Sequence, residues 1–291
     1  MAAQVIDVTV LTLGRGGDRS CYRPVDPAVD LQVQPLGDRP GESVGERVVR
    51  SIAVLGAALE AAGRFDVVHA QDCISANACL SAGTGDRLLR TVHHIDQFTT
   101  PQLAACHERA IVAPGAHVCV SAAVAQELRA GWGITARVIP NGVDAGRFRA
   151  AAGPGAGAVE DRGAWRHHIG SPYLLTVGGI EPRKGTIDLL EAWALLGVEI
   201  PDLALVIAGG ETLFDYRDYR ACFDQRVAEL GVAPVMLGPV AHDDLPALVA
   251  GAAVFALAST KEGFGLAAME ALAAGVPVVL RDLPVLRQVF G

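Results

Sequence analysis

With 291 residues, 51% of them hydrophobic and 19% charged, the chain is long enough for two α/β domains and too apolar to remain disordered. A formal charge of −8, from 24 basic and 32 acidic residues, argues against a nonspecific nucleic-acid binder while leaving room for a local basic pocket that takes a small anion. Six cysteines (Cys21, Cys73, Cys79, Cys106, Cys119 and Cys222) show no C-x-x-C pair and lie in apolar surroundings, which reads as buried, reduced thiols and a cytoplasmic compartment.

No signal peptide is expected ahead of the first strand. No apolar run reaches the roughly 18 to 20 residues of a membrane span, because glycine, proline or charge interrupts each one. Peripheral membrane contact stays open.

In chain order, Val5 to Leu13 reads as a strand and Gly14 to Ser20 as the loop leaving it. Gly16-Gly17 invites a phosphate-loop reading, but Cys21-Tyr-Arg-Pro leads into another extended segment, Val29 to Val33, so a surface turn is the better expectation. Glu42 to Gly63 has apolar residues at helical spacing and leads into a strand, Phe65 to Ala70. His69, Gln71 and Asp72 then fall at that strand's carboxyl end, where open α/β sheets place ligands. For Asp72 alone, the cap of the next helix, which runs to about Gly83, is the favoured role.

Leu88 to His93 is the next strand, so His93 and His94 lie at its carboxyl end, one pointing to each face. Together with Asp96 they suggest a metal, yet adjacent histidines diverge and no third ligand of suitable spacing follows. Thr100 to Ala113 is a helix, Ala116 to Ser121 a strand whose serine caps the helix Ala122 to Ala130, and Ala136-Arg-Val-Ile-Pro-Asn-Gly-Val-Asp144 a strand running into a turn. Ala150 to Ala158 is almost entirely glycine, alanine and proline, which predicts a linker and a domain boundary, dividing 1–152 from 153–291.

The second half starts with a strand, Tyr173 to Val177, and a glycine loop, Gly178-Gly-Ile-Glu-Pro-Arg-Lys-Gly185, before a helix from Thr186 to about Leu196. Arg183 and Lys184 in that loop are placed to neutralise a diphosphate; a solvated basic turn is the bland alternative. A strand Leu203 to Ala208 ending in Gly209-Gly210-Glu211, a helix Asp215 to Leu230 and a strand Val235 to Leu237 follow. Asp243 or Asp244 is expected to favour a positive helix end.

The stretch from Ala258 to Leu280 is the most informative. Val254 to Ala258 reads as a buried strand, Ser259 to Gly265 as a loop opening a helix, Gly275 as that helix's C-cap, and Val276 to Leu280 as the next strand. Gly263 and Gly265 leave backbone unshielded where the first helical N–H groups are unpaired and the dipole is positive, which suits a phosphate. A carboxylate on that helix, Glu270, can hold a vicinal diol such as a ribose, and one in the loop, Glu262, can reach a sugar beyond the phosphates.

Glu-Gly-Phe-Gly, Met-Glu-Ala-Leu-Ala-Ala-Gly and Val-Pro-Val-Val, in unbroken order, resemble the E-x7-E signature of the retaining glycosyltransferases of family 4. Pro140-Asn-Gly-Val-Asp144 is similar to the same family. The resemblance implies an α/β, GT-B fold, two doubly wound Rossmann-like domains facing a cleft, both expected to be incomplete because the family's first strand, glycine loop and long helix and its final elements find no counterpart. It assigns Glu270 to the nucleotide ribose, Glu262 to the transferred sugar, His93 to a place beside the donor sugar and the amides of Phe264 and Gly265 to the pyrophosphate. Many members carry an arginine directly after the first glycine of the second loop; Gly179 stands there instead, and Arg183 is the candidate substitute.

The implied catalytic set is therefore His93, Glu262 and Lys184, and the donor-binding set Arg183, Lys184, Gly263, Phe264, Gly265, Leu266 and Glu270. The implied reaction is metal-independent, cofactor-free transfer of a hexose from a UDP-, GDP- or ADP-sugar to a hydroxyl acceptor that is a sugar, lipid-linked or a small molecule, with no nucleic-acid partner. A truncated or degenerate relative that binds nucleotide or a protein partner without turnover is the competing expectation. An NAD-dependent enzyme would need G-x-G-x-x-G after the first strand, and Gly14-Arg-Gly-Gly does not supply it.

Overall fold

The computed structural model describes residues 6–15, 24–96, 98, 100–210 and 216–291. Val5, the Gly16-Gly17 turn, Cys21, Glu211 and the expected helix start at Asp215 lie outside them. The chain forms two compact units, Met1–Pro140 and Asn141–Gly291.

The first unit runs β1 (Val8–Arg15), β2 (Val29–Leu36), α1 (Val44–Ala62), β3 (Val68–Ala70), α2 (Cys73–Ser81), β4 (Leu88–Val92), α3 (Pro101–Val112), β5 (Ala116–Cys119), α4 (Ala122–Trp132) and β6 (Arg137–Val138). Local chemistry sets the helix starts. Ser43 and Glu46 form a capping box on α1, and Asp72 and Ser75 form one on α2, so Asp72 is the cap that its position suggested. Glu42, expected to open α1, lies one residue ahead of that cap and instead takes both Nε and an Nη of Arg50 at 2.6 Å.

All strand pairs described in this unit are parallel, but they form two ribbons, β1-β2 and β3-β4-β5-β6, rather than the single sheet expected. A cavity of about 120 Å³ lies where Thr9 and Leu11 of β1 face Val68 and His69 of β3 above α1 and α2. Hydrophobic periodicity finds strands; it carries no information on which strand is hydrogen-bonded to which. Leu59, Val68, Ala76 and Leu88 pack one core cluster, and Val92, Ile111, Val124 and Leu128 another.

The second unit comprises α5 (Ala145–Ala152), α6 (Ala156–Ile169), β7 (Tyr173–Val177), α7 (Thr186–Leu196), β8 (Ala204–Ala208), α8 (Arg217–Leu230), β9 (Val235–Gly238), α9 (Leu245–Gly251), β10 (Val254–Leu257), α10 (Leu266–Ala273), β11 (Val278–Leu280) and α11 (Pro284–Phe290). The predicted linker at 150–158 is corrected: α5 and α6 occupy it, interrupted only at Gly153-Pro154-Gly155. Alanine is the strongest helix former, Phe148 anchors α5 in the core at 2% exposure, and Arg162 of α6 donates to the carbonyls of Ala151 and Gly153. Composition alone read flexibility into a segment that packing makes helical.

The five strands are parallel in the order β11-β10-β7-β8-β9, so the chain winds outward from β7 in one direction and then returns to β10 on its other side. Leu174, Leu190, Leu205, Ile207 and Phe223 fill the core beneath. The strand order reverses between β7 and β10, the switch point at which open α/β sheets place ligands beyond the strands' carboxyl ends.

These two loops are tied together. The Thr260 amide donates to the Arg183 carbonyl at 2.8 Å, and Gly185, at φ 61°, approaches Ala258 so closely that a Cβ would fall on the Ala258 carbonyl oxygen. Gly185→Ala therefore meets both a left-handed backbone and a backbone clash, and is expected to cost about 2 kcal/mol or more in denaturant unfolding. Alanine at Gly115, where no atom stands within 4 Å and φ is not positive, is the matched control and should change stability little.

Candidate active site

Both glycine loops picked out in the sequence lie at the switch point of the second unit's sheet. The loop after β7 ends in a 3-10 turn, Pro182–Lys184, and the loop after β10 runs into α10 through Gly265. The turn aims Lys184 back over Gly178, its Cε 3.2 Å from where a side chain at Gly178 would begin, and the ammonium meets the Glu262 carboxylate at 2.7 Å. Arg183 stands 3.7 Å from the same carboxylate oxygen and 3.6 Å from Glu181. The Ser259 hydroxyl donates to it at 2.7 Å.

Glu262 is thus the centre of a small charge cluster in which two acids, Glu181 and Glu262, balance two bases, Arg183 and Lys184. Its side chain is 9% exposed. Burial pushes its pKa up, and the Lys184 charge and hydrogen bond, the Ser259 hydroxyl and the Arg183 guanidinium together outweigh that, leaving it below the usual carboxylate value. An ionised Glu262 accepts hydrogen bonds and does not donate, so its chemistry toward a sugar is to receive hydroxyl protons.

At the start of α10, Gly265 adopts φ 92° and Leu286 and Phe290 of α11 stand 3.0 and 3.1 Å from where its Cβ would be. Glycine is required here by conformation and by packing on one side, in addition to the phosphate access read from the sequence. Among the described residues no hydrogen bond is made to the amides of Gly263, Phe264, Gly265 or Leu266. These orphan donors at a helix N-terminus form the dipole end that suits an anion. Phe264 turns its ring into the core at 7% exposure, Gly263 and Gly265 beside it are buried as well, and Leu266 is 41% exposed. Glu270 follows one turn into α10, half-buried.

His93 belongs to the first unit, just after β4. Its Nε2 lies 2.8 Å from Gln71 Oε1. His94 turns elsewhere and pairs with Asp96 at 2.9 Å. Beneath them Arg90 is buried at 5% exposure, with Nε lacking a partner among the described residues and one Nη donating to the carbonyls of Ala70 and Thr91. Burial first, then the Arg90 charge, hold His93 below the usual histidine pKa. Among the described residues no group of three His, Cys, Asp or Glu side chains could hold a metal ion.

Arg183, Lys184 and Glu262, taken from separate motifs, are brought together. Ser259, Glu181 and Thr260 were missed; each sits inside a motif already singled out, and the signal was a polar residue at a strand's carboxyl end. Asp243 neutralises Arg147 at 3.6 Å, and Asp244 sits at the N-cap of α9 without a side-chain capping bond. All five described cysteines are free; Cys79, Cys106 and Cys119 are buried as expected, Cys73 is partly buried, and Cys222 on α8 is exposed, which corrects the buried reading for that residue. No described helix is long and apolar enough to cross a membrane.

Comparison with known proteins identifies the family and the fold. Residues 1–147 match the family described as Glycosyltransferase Family 4, and residues 159–291 match Glycosyl transferases group 1. The D-inositol 3-phosphate glycosyltransferase of Salinispora arenicola is 31% identical over 96% of this chain and 68% of its own length. The O-antigen chain mannosyltransferase B of Escherichia coli is 37% identical over 41% of this chain and 31% of its own. The MMP alpha-(1->4)-mannosyltransferase of Mycolicibacterium hassiacum is 28% identical over 79% and 56%. The chain therefore spans between about a third and two thirds of these relatives' lengths.

Among solved structures, Anabaena HepE in complex with UDP-glucose superposes with a TM-score of 0.72 at 20% identity, covering 96% of this chain and 82% of that one. Sucrose-phosphate synthase from Thermosynechococcus elongatus gives 0.72 at 21%, covering 98% and 74%. With both halves matched by family and the parallel α/β architecture shared with these enzymes, the chain belongs to the family 4 glycosyltransferases and has the GT-B fold.

Proposed function

We propose that the chain carries the donor-binding and transfer machinery of a retaining, metal-independent glycosyltransferase that moves a hexose from a nucleoside diphosphate sugar to a hydroxyl acceptor. The carrying observation is the Lys184–Glu262 pair beside the unpaired amides of 263–266 at the switch point of the second unit's sheet. The diphosphate sits against those amides, with Lys184 and Arg183 stabilising the charge that grows on it as the glycosidic bond breaks. Glu270 accepts from the ribose hydroxyls and Glu262 from the transferred sugar.

In this reading C1 separates from the phosphate oxygen while the acceptor oxygen bonds to C1 on the same face, and the acceptor's proton passes to the departing diphosphate. Family membership supports that front-side course and a reading in which His93 hydrogen-bonds the donor sugar. Similar enzymes named for mannosyl transfer and one solved with UDP-glucose support a hexose donor and a sugar acceptor. Lipid-linked acceptors, peripheral membrane contact and a cytoplasmic location belong to the same proposal, the last supported by the free thiols.

A thermal-shift screen against uridine, guanosine and adenosine diphosphates and their sugars should identify one responding base, and donor hydrolysis should release the sugar. Nucleotide binding without sugar release identifies a non-catalytic binder instead. Glu270→Ala is expected to abolish the shift; an unchanged shift removes the ribose assignment. Lys184→Ala should lower turnover by about 100- to 1,000-fold, the usual cost of one charge-stabilising donor.

Acid stability tests the Glu262 cluster. Because the folded pKa lies below the reference value of 4.5, the stabilisation Glu262 contributes is fully present above 4.5 and is lost as pH falls through the lower folded value. Lys184→Met removes the largest lowering contribution and keeps the burial, so the folded pKa of Glu262 rises and the fall in melting temperature with acid should be smaller than in the wild type. Superimposable profiles would mean that the pair contributes nothing in solution.

A further inference from the structure

Three side chains at the carboxyl ends of β3 and β4 join His93 to the body of the first unit. Thr91 Oγ1 lies 2.6 Å from His69 Nε2, Gln71 Nε2 lies 3.0 Å from that same nitrogen, and Gln71 Oε1 lies 2.8 Å from His93 Nε2. The direction of each bond follows from what the groups can do. A carboxamide nitrogen only donates and a carboxamide oxygen only accepts. Gln71 therefore donates to His69 Nε2 and receives the Nε2 proton of His93. His69 Nε2 then bears no proton, and its single lone pair is shared between the Gln71 carboxamide and the closer Thr91 hydroxyl, which donates as well.

We propose that Gln71 is a positioning residue that sets His69 and His93 in opposite tautomers, so that His93 keeps its proton on Nε2 and can receive a substrate hydroxyl only through Nδ1. This deepens, and rests on, the reading in which His93 meets the donor sugar. It assigns the sugar hydroxyl at that position the role of donor.

Two further features hold the arrangement. The Gln71 main chain is itself fixed, its backbone N–H donating to Ser75 Oγ at 3.2 Å within the turn that starts α2. The scheme also needs both rings neutral, since an imidazolium donates from both nitrogens. Burial pushes both histidines below their usual pKa, and the buried Arg90 between the two strand ends adds to the effect. The charges acting on His93 are those of Arg90, His94 and His69, which disfavour its protonation, and Asp72, which favours it. His69, like His93, is thus poised as neutral imidazole near pH 7.

Long-range proton–nitrogen NMR of the imidazole rings in the whole chain reads the tautomers directly. The wild type is expected to show His69 protonated at Nδ1 and His93 at Nε2. His69 is the discriminating reporter, because an unconstrained imidazole prefers the Nε2 proton. In Gln71→Leu, His69 should revert to the Nε2 form and donate to Thr91. In Gln71→Glu, whose carboxylate only accepts, both rings should carry Nε2 protons and titrate at higher pH.

The inference is overturned if His69 in the wild type is protonated at Nε2, or if neither substitution moves either tautomer while the amide spectrum stays native. With turnover established, Gln71→Leu should raise the donor KM about five- to tenfold with a smaller change in kcat, the loss of one oriented hydrogen bond. If the tautomers behave as expected but His93→Ala leaves donor binding unaltered, the His93–sugar reading fails while the Gln71 assignment stands.

Discussion

The second unit depends on one junction, the seam between the loops that leave β7 and β10. The Thr260 amide and hydroxyl reach back to the carbonyls of the Pro182–Lys184 turn, and Gly185 lets that turn lie directly on Ala258. The seam brings the ammonium of Lys184 to the carboxylate of Glu262. Burying either charge alone would cost several kcal/mol, so each is tolerable only because the other is there. The two loops are consequently one charged object, and either residue's removal strands its partner.

That coupling bears on catalysis as well as stability. Lys184 engages Glu262 through one of its three donors; in the proposed function, a diphosphate at the head of α10 would meet this cation. The cation is held in place before ligand arrives, which is the preorganisation that makes a charge-stabilising group effective. Glu262 in turn is kept ionised by its neighbours and can serve a sugar only as an acceptor.

The first unit solves a related problem with neutral groups. Arg90 sits under the ends of β3 and β4, one Nη donating to strand carbonyls, and contributes positive potential where Gln71 links two imidazoles. A glutamine linking two histidines works only when both are uncharged, and the buried arginine disfavours their protonation. Neither Arg90 nor the Gln71 link carries a motif: an arginine in an apolar strand reads as an exposed residue until its neighbours are known.

The sequence by itself determined the alternation of strands and helices, the caps Asp72 and Ser121, the two glycine loops and the acids that follow them, because these rest on local periodicity, capping chemistry and an uninterrupted motif. It misjudged 150–158, where composition suggested a linker and packing around Phe148 produced two helices. Tertiary structure alone decided that β1-β2 and β3-β6 are separate hydrogen-bonded sheets, that Lys184 meets Glu262 across 78 residues of chain, and that Gln71 lies between His69 and His93. Strand order and side-chain pairing between distant segments are settled by what packs against what, and no short-range pattern encodes that.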